Sequence, residues 1–192
     1  MSRRSHPAER RPRISEREVV KVAAEYLEQQ GYRVYPNPDT ADYFDLVARR
    51  GDEVGLVEAK VSGTRTVLVQ ALKRRAWGDW VAVVLPSEKA AERLALRTHR
   101  TRASRVGVWS TGRGRVTVVR PARPWVRPGE ADPFSDLRRR FRSVLDRIDS
   151  GEIPREVRWG GIVRVVRQAS GGRSFAEWRL DEVAEDDRPE AR

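Results

Sequence analysis

The chain has no cysteine, which excludes disulfides and thiolate metal sites and fits a reducing compartment. It has two histidines, His6 and His99, and neither has a sequence partner for metal binding or acid–base work. No apolar run approaches the ~18 residues that span a bilayer. The opening MSRRSHPAERRPR lacks the apolar stretch of a secretory signal. The expectation is a soluble, cytoplasmic protein without a membrane partner. Glycine-rich phosphate loops, serine nucleophile elbows and internal repeats are also missing, which removes P-loop and serine-hydrolase chemistry.

What the chain does carry is charge, unevenly distributed. The net charge is +11 over 192 residues. Residues 1–13 hold five Arg against one Glu, and residues 14–61 hold six basic and ten acidic groups. Residues 62–127 hold fifteen basic and three acidic groups, and residues 128–192 are near balance with thirteen and fourteen. Only four of the 39 basic residues are Lys, so a compositional preference for Arg contributes. Such a preference does not place an acidic block directly before a basic one. That arrangement points to a polyanion held beside a cation site.

The hydrophobic pattern organises the chain. ISEREVVKVAAEYLEQQG has helical periodicity from Ile14, with Ser15 as N-cap and Gly31 as C-cap. YRVYP (32–36) reads as a strand, NPDTAD (37–42) as a turn, and FDLVARRGDEVGLVEAK (44–60) as two strands joined at ARRGDE. After the loop SGTRT (62–66), VLVQALKRRAW (67–77) reads as a helix and WVAVVLP (80–86) as a central strand. Ser87 caps a further helix, and RVGVW (105–109) with RVTVVR (115–120) forms a hairpin around STGRG. The class is α/β, a mixed β-sheet flanked by helices, with a small C-terminal α+β module.

The expected organisation is a disordered basic arm (1–13), a main domain (14–120), a Pro-rich linker (121–133), a small module (134–183) and a charged tail (184–192). In the module, Phe134, Leu137, Phe141, Leu145 and Ile148 fall at helical spacing. IVRVVRQASGGRSFAEWRL reads as a hairpin around SGG, and the whole loosely suggests a winged helix or a dimerisation element.

Three charges sit where a core prefers aliphatics. Glu58 and Lys60 share a strand face, and a hairpin can bring Asp45 beside Glu58. Two adjacent carboxylates repel and cost several kcal/mol each to desolvate. A divalent cation relieves both costs, and all-oxygen ligation suits Mg²⁺ or Mn²⁺. Glu16 shares the inward stripe of Val19, Val20, Ala23 and Leu27, which makes it a third candidate. The competing explanations are a cross-strand ion network on a solvated face and, for Glu16, stabilisation of a helix N-terminus.

With Glu16 in SEREVV, Asp45 in FDLVA and Glu58-Ala59-Lys60 in VEAK, the chain resembles the PD-(D/E)XK nuclease superfamily, and most of all archaeal Holliday junction resolvases. The resemblance covers about residues 14–86. It implies a restriction endonuclease-like αβββαβ core and hydrolysis of nucleic-acid phosphodiesters with Mg²⁺ or Mn²⁺. Asp45 and Glu58 would then hold the metal with the carbonyl of Ala59, and Lys60 would act on the attacking water or the phosphate. Some branches carry a glutamine on the helix after the ExK strand, and Gln70 lies there; a buried, hydrogen-bonded amide is its other explanation. Phe44 stands where the signature has Pro, and Arg74 where one branch has an aromatic.

Arg65, Lys73, Arg74, Arg75, Arg100 and Arg102 are the candidate DNA contacts, and Trp77 or Trp125 could stack on a base. The expected partner is DNA, in a nucleoid-associated setting, and cutting two strands favours a homodimer. The alternative is a non-catalytic DNA-binding protein that keeps the nuclease fold.

Overall fold

A computed structural model of the chain describes residues 14–37, 43–61, 65–126, 129–154, 159, 160, 162, 163 and 166. The expected basic arm and charged tail lie outside the described residues.

Helix α1 (Glu16–Gln29) starts where the sequence predicts, because Ser15 and Glu18 form a reciprocal cap. The Glu18 backbone N–H donates to Ser15 Oγ at 3.2 Å, and the Ser15 N–H donates to Glu18 Oε2 at 2.7 Å. Gln30 caps the other end, and Gly31 follows at a φ of 80°, where a side chain would be strained. Strands β1 (Arg33–Pro36), β2 (Leu46–Arg50) and β3 (Glu53–Ala59) form an antiparallel meander. Gly51, at a φ of 59°, turns the chain between β2 and β3.

Helix α2 (Arg65–Arg74) crosses over to β4 (Trp80–Leu85), which pairs parallel to β3. Helix α3 (Glu88–Arg97), capped by Ser87, leads through a 3-10 turn (Arg102–Arg105) to β5 (Gly107–Ser110), parallel to β4. β6 (Thr117–Arg120) returns antiparallel to β5. The result is one open mixed sheet of six strands in the order β1-β2-β3-β4-β5-β6. Among the described residues, no helix is long and apolar enough to cross a membrane.

The helices divide between the two sheet faces. Val19, Ala23 and Leu27 of α1 pack on Val34, Leu46, Ala48, Val57, Ala82 and Val84. On the other face, Val67 and Ala71 of α2 and Ala91 and Leu94 of α3 cover Val47, Leu56, Val81 and Val83. Every residue of β4 is buried, as expected for a strand covered on both sides. Gly55 is required by close approach, since a Cβ there would lie 1.9 Å from Trp80 Cζ2.

Helix α4 (Ser135–Asp149) shares that second core. Phe141 packs against Phe44 and Trp77, each at 5.6 Å between ring centroids, and Leu145 and Ile148 are buried in the same cluster. Polar ties fix its position. Arg142 Nη2 donates to Asp79 Oδ1 at 2.7 Å, while Asp79 Oδ2 accepts from the Val54 N–H at 2.7 Å. Arg138, nearly fully buried, donates to Asp132 and to the Arg75 carbonyl. The stretch read as a linker is anchored as well, with Arg123 N–H donating to the Arg105 carbonyl and Trp125 N–H to the Asp79 carbonyl.

The hairpin expected from Ile162 onward is corrected at its start. Ile162, Val163 and Val166 are helical, because Trp159, Val163 and Val166 bury one helical face in the core. The rest of that expected hairpin lies outside the described residues.

Candidate active site

The site lies where β3 ends, between the start of α1 and the end of α2. The β2–β3 register pairs Leu46 with Val57, so the next rung sets Asp45 beside Glu58. Both carboxylates are nearly sealed from water, at 5% and 3% exposed. Asp45 lies one residue before β2 and Lys60 one residue past β3. The Lys60 backbone N–H donates to the Val84 carbonyl at 3.0 Å, which extends the β3–β4 ladder and fixes the lysine's exit from the sheet.

Each carboxylate has an assigned partner. Asp45 Oδ2 accepts from the Ala59 N–H at 2.8 Å and lies 3.9 Å from Lys60 Nζ. Lys60 Nζ donates to Glu16 Oε1 at 2.5 Å, so the inward glutamate of α1 reaches the site as a counter-ion to the lysine. Glu58 Oε1 accepts from Arg74 Nε at 2.7 Å. The Arg74 guanidinium in turn stacks on Tyr43, 3.8 Å from the ring centroid. Three carboxylates and two cations therefore interleave across the end of the strand.

Burial dominates the electrostatics. Desolvation pushes the Asp45 carboxyl above the usual range, against the opposing pull of the Ala59 N–H and Lys60. Desolvation likewise raises Glu58, against the nearby Arg74 charge. For Lys60, burial pulls the ammonium down, but Glu16 with Asp45 and Glu58 outweighs it and holds the group above its ordinary value. The pocket keeps the lysine protonated and makes both aspartyl and glutamyl charges costly.

Four sequence candidates thus converge: Glu16, Asp45, Glu58 and Lys60. Ala59 is beside them, with its N–H spent on Asp45. Gln70 lies one turn before Arg74 on α2, and its buried Oε1 has no hydrogen-bond partner among the described residues. Among the described residues no group of three or more Asp, Glu, His or Cys side chains is arranged to hold a metal. Glu16 is drawn onto Lys60 and Glu58 onto Arg74.

The basic candidates disperse. Arg74 belongs to the carboxylate site and is only 12% exposed. Lys73 and Arg100 are exposed, while Arg65 opens α2 with its side chain outside the described residues. Arg75 and Arg102 meet in a separate cleft with Ser104, Arg105 and Trp125. Trp77 is fully buried in the core, which corrects its reading as a stacking residue. Sequence reasoning missed Tyr43 and the inward role of Arg74. The available signal was the spacing of Gln70 and Arg74, four apart and hence on one helix face.

No protein-family model, no curated protein and no solved structure matches the chain.

Proposed function

We propose that the chain is a divalent-cation-dependent nuclease of the PD-(D/E)XK kind, with a restriction endonuclease-like core, that hydrolyses phosphodiester bonds of DNA. The observation that carries this reading is the pair Asp45 and Glu58, 5% and 3% exposed and opposite each other on one rung, with Lys60 Nζ 3.9 Å from Asp45. A helix, a three-strand meander, a helix and a parallel strand in that order, with α1 and α2 on opposite faces, support it too.

The donor set fits a hard cation. Two buried carboxylates with a backbone carbonyl nearby offer oxygen only, which suits Mg²⁺ or Mn²⁺. Asp45 and Glu58 would hold the ion, with the carbonyl of Ala59 as a third oxygen. Bound there, such an ion acidifies water and offsets negative charge that gathers on the phosphate in the transition state. The residues of the chain do the rest. Lys60, protonated and fixed by Glu16, donates to a phosphate oxygen and orients the attacking water. Arg74 keeps Glu58 compensated until the cation competes for the carboxylate. Cutting both strands of a duplex takes two such sites, so we propose that the protein works as a homodimer.

Purified protein with Mg²⁺ or Mn²⁺ and duplex, four-way-junction and single-stranded DNA tests the reading. Cleavage that disappears in Asp45→Asn and Lys60→Met supports it. Intact DNA in every case, or cleavage that survives both substitutions, refutes it.

A second reading, a DNA-binding protein without activity, is favoured by one observation. Glu58–Arg74 and Glu16–Lys60 already compensate each other without a metal. Calorimetric titration with Mn²⁺ separates the two, because only the nuclease reading requires binding that Asp45→Asn removes.

A further inference from the structure

Helix α3 buries Ala91 and Leu94, and Thr98 continues that buried line at its end. Residues three, four and seven apart share a helix face. That spacing gathers Lys89, Arg93, Leu96 and Arg97 on the side turned away from the core, and all four are exposed. Arg100, also exposed, carries the row into the turn that follows. Glu88 and Glu92, four apart, fall on one flank of it.

The fold makes no use of this row. The side chains of Lys89, Arg93, Arg97 and Arg100 form no hydrogen bond and no ion pair among the described residues. Other cations nearby are held inside the chain. Arg74 is spent on Glu58, and Arg120 donates to the Val106, Ala95 and Ala103 carbonyls and to Thr98 Oγ1 at the end of α3. Like charges four apart on a helix repel, and Lys89–Arg93 and Arg93–Arg97 are both such pairs. A file of cations with no counter-charge of its own complements a polyanion.

The shape of the face selects among polyanions. A helix that binds a lipid surface needs its apolar face free to enter the headgroup layer. The apolar face of α3 is packed into the core, which leaves Leu96, 69% exposed, as the large apolar side chain turned outward. A nucleic-acid strand instead repeats a negative charge every few ångströms. Lys89, Arg93 and Arg97 recur every four residues, about 6 Å along the helix axis, so each long stem can meet a phosphate.

We propose that the outward face of α3, with Lys89, Arg93, Arg97 and Arg100, is the surface that receives a nucleic-acid backbone. The partner comes from the nuclease reading, on which the proposal rests; the place is new. β3 and β4 run parallel, Lys60 leaves the end of β3 with its N–H on the Val84 carbonyl, and α3 starts just past the end of β4. The Lys89 end of the row therefore belongs to the sheet edge that carries Lys60.

The test uses the full chain in EDTA, where binding is measured without cutting. Fluorescence anisotropy of a labelled duplex is followed against salt for wild type, Arg93→Gln, Arg97→Gln, the double variant and Lys21→Gln. Lys21 is exposed on α1, which covers the opposite sheet face, and controls for bulk charge. All three positions are exposed, so the variants should melt like wild type. Each α3 substitution should lower the salt slope by about one. Over the decade of salt between about 0.1 M and 1 M, that slope corresponds to a roughly eightfold loss of affinity. The double variant should lose about two in slope, with Lys21→Gln near wild type. Equal effects at Lys21 and on α3, no effect on α3, or no DNA binding at all overturns the surface.

Co-sedimentation with vesicles of equal phosphatidylserine and phosphatidylcholine tests the other polyanion. Vesicle binding that the double variant loses, together with unaltered DNA affinity, assigns the row to a membrane and overturns the proposal. A cleavage assay with Mn²⁺ keeps this proposal apart from the nuclease reading. DNA affinity that depends on Arg93 and Arg97 in a protein that never cuts sinks the nuclease and spares the surface. Cleavage by a protein whose affinity ignores both residues does the reverse.

Discussion

Arg74 and Glu58 form an ion pair of 2.7 Å with side chains only 12% and 4% exposed, so the pair lies almost wholly out of water. Breaking such a pair from one side leaves the other charge buried and alone, which typically costs about 3–5 kcal/mol. Arg74→Met is therefore expected to lower stability by roughly that amount in urea denaturation at neutral pH. It also removes the competitor for Glu58. Mn²⁺ should stabilise the variant more than wild type, and a ligand at a hundred times its Kd adds about 2.7 kcal/mol. A variant that loses stability but shows no greater Mn²⁺ response speaks against a cation at Glu58.

Asp45 tests whether the site is held at the expense of the fold. Its folded pKa is raised by burial, so the fold favours the neutral form over the charged one. Asp45→Asn keeps an oxygen for the Ala59 N–H and drops the charge. Melting should show a gain of roughly 0.5–2 kcal/mol, accompanied by loss of cleavage. A clear drop in stability would mean that the attraction to Lys60 outweighs the desolvation.

Phe141 couples α4 to the site. Its ring packs on Phe44, Trp77 and Trp159, and Phe44 directly precedes Asp45. Phe141→Ala should cost about 3–5 kcal/mol in equilibrium unfolding. Removal of residues 134–192 should abolish cooperative unfolding altogether. A truncated chain that unfolds cooperatively would show that α4 is dispensable.

A pH prediction follows from Tyr35, whose hydroxyl donates to Asp149 Oδ1 at 2.8 Å. Burial, then that bond, pushes the phenol from its ordinary 10.0 up to about 12. A raised folded pKa gives stability that is fully present below the unfolded value and lost as pH climbs through the folded one. Stability should thus fall between pH 10.0 and about 12, and Tyr35→Phe should flatten that fall. For Asp149, burial pushes upward but Arg33 and Tyr35 prevail and hold it below the usual range. Its contribution is present above the unfolded carboxylate value and lost as pH drops through the lowered one. Urea midpoints across both windows measure each effect.

Much of this was legible in the sequence, for local reasons. Ser15 and Ser87 mark helix starts because a cap is made within three residues. The alternation from Phe44 to Lys60 marks two strands, and a turn at Gly51 suffices to bring Asp45 to Glu58. What stayed hidden depends on how elements dock. Spacing sets Arg74 on the Gln70 face of α2, but only the docking of α2 turns that face onto Glu58. The apolar stripe of α4 announces a buried face but not that Phe44 and Trp77 receive it. The β-branched run from Ile162 reads as strand because local preference favours one, and burial of Trp159, Val163 and Val166 on one helical face overrides it.

The strand order bears on how the protein is born. Each strand's neighbour in the sheet is its neighbour in the chain, so strands can be added one after another as synthesis proceeds. The contacts that finish the carboxylate end come much later: Tyr35 meets Asp149 across 114 residues, and Phe44 waits for Phe141. That order lets the sheet assemble during synthesis before the carboxylate end is finished. On the proposed nuclease reading, cutting of DNA waits until the segment that carries Phe141 and Asp149 has been made.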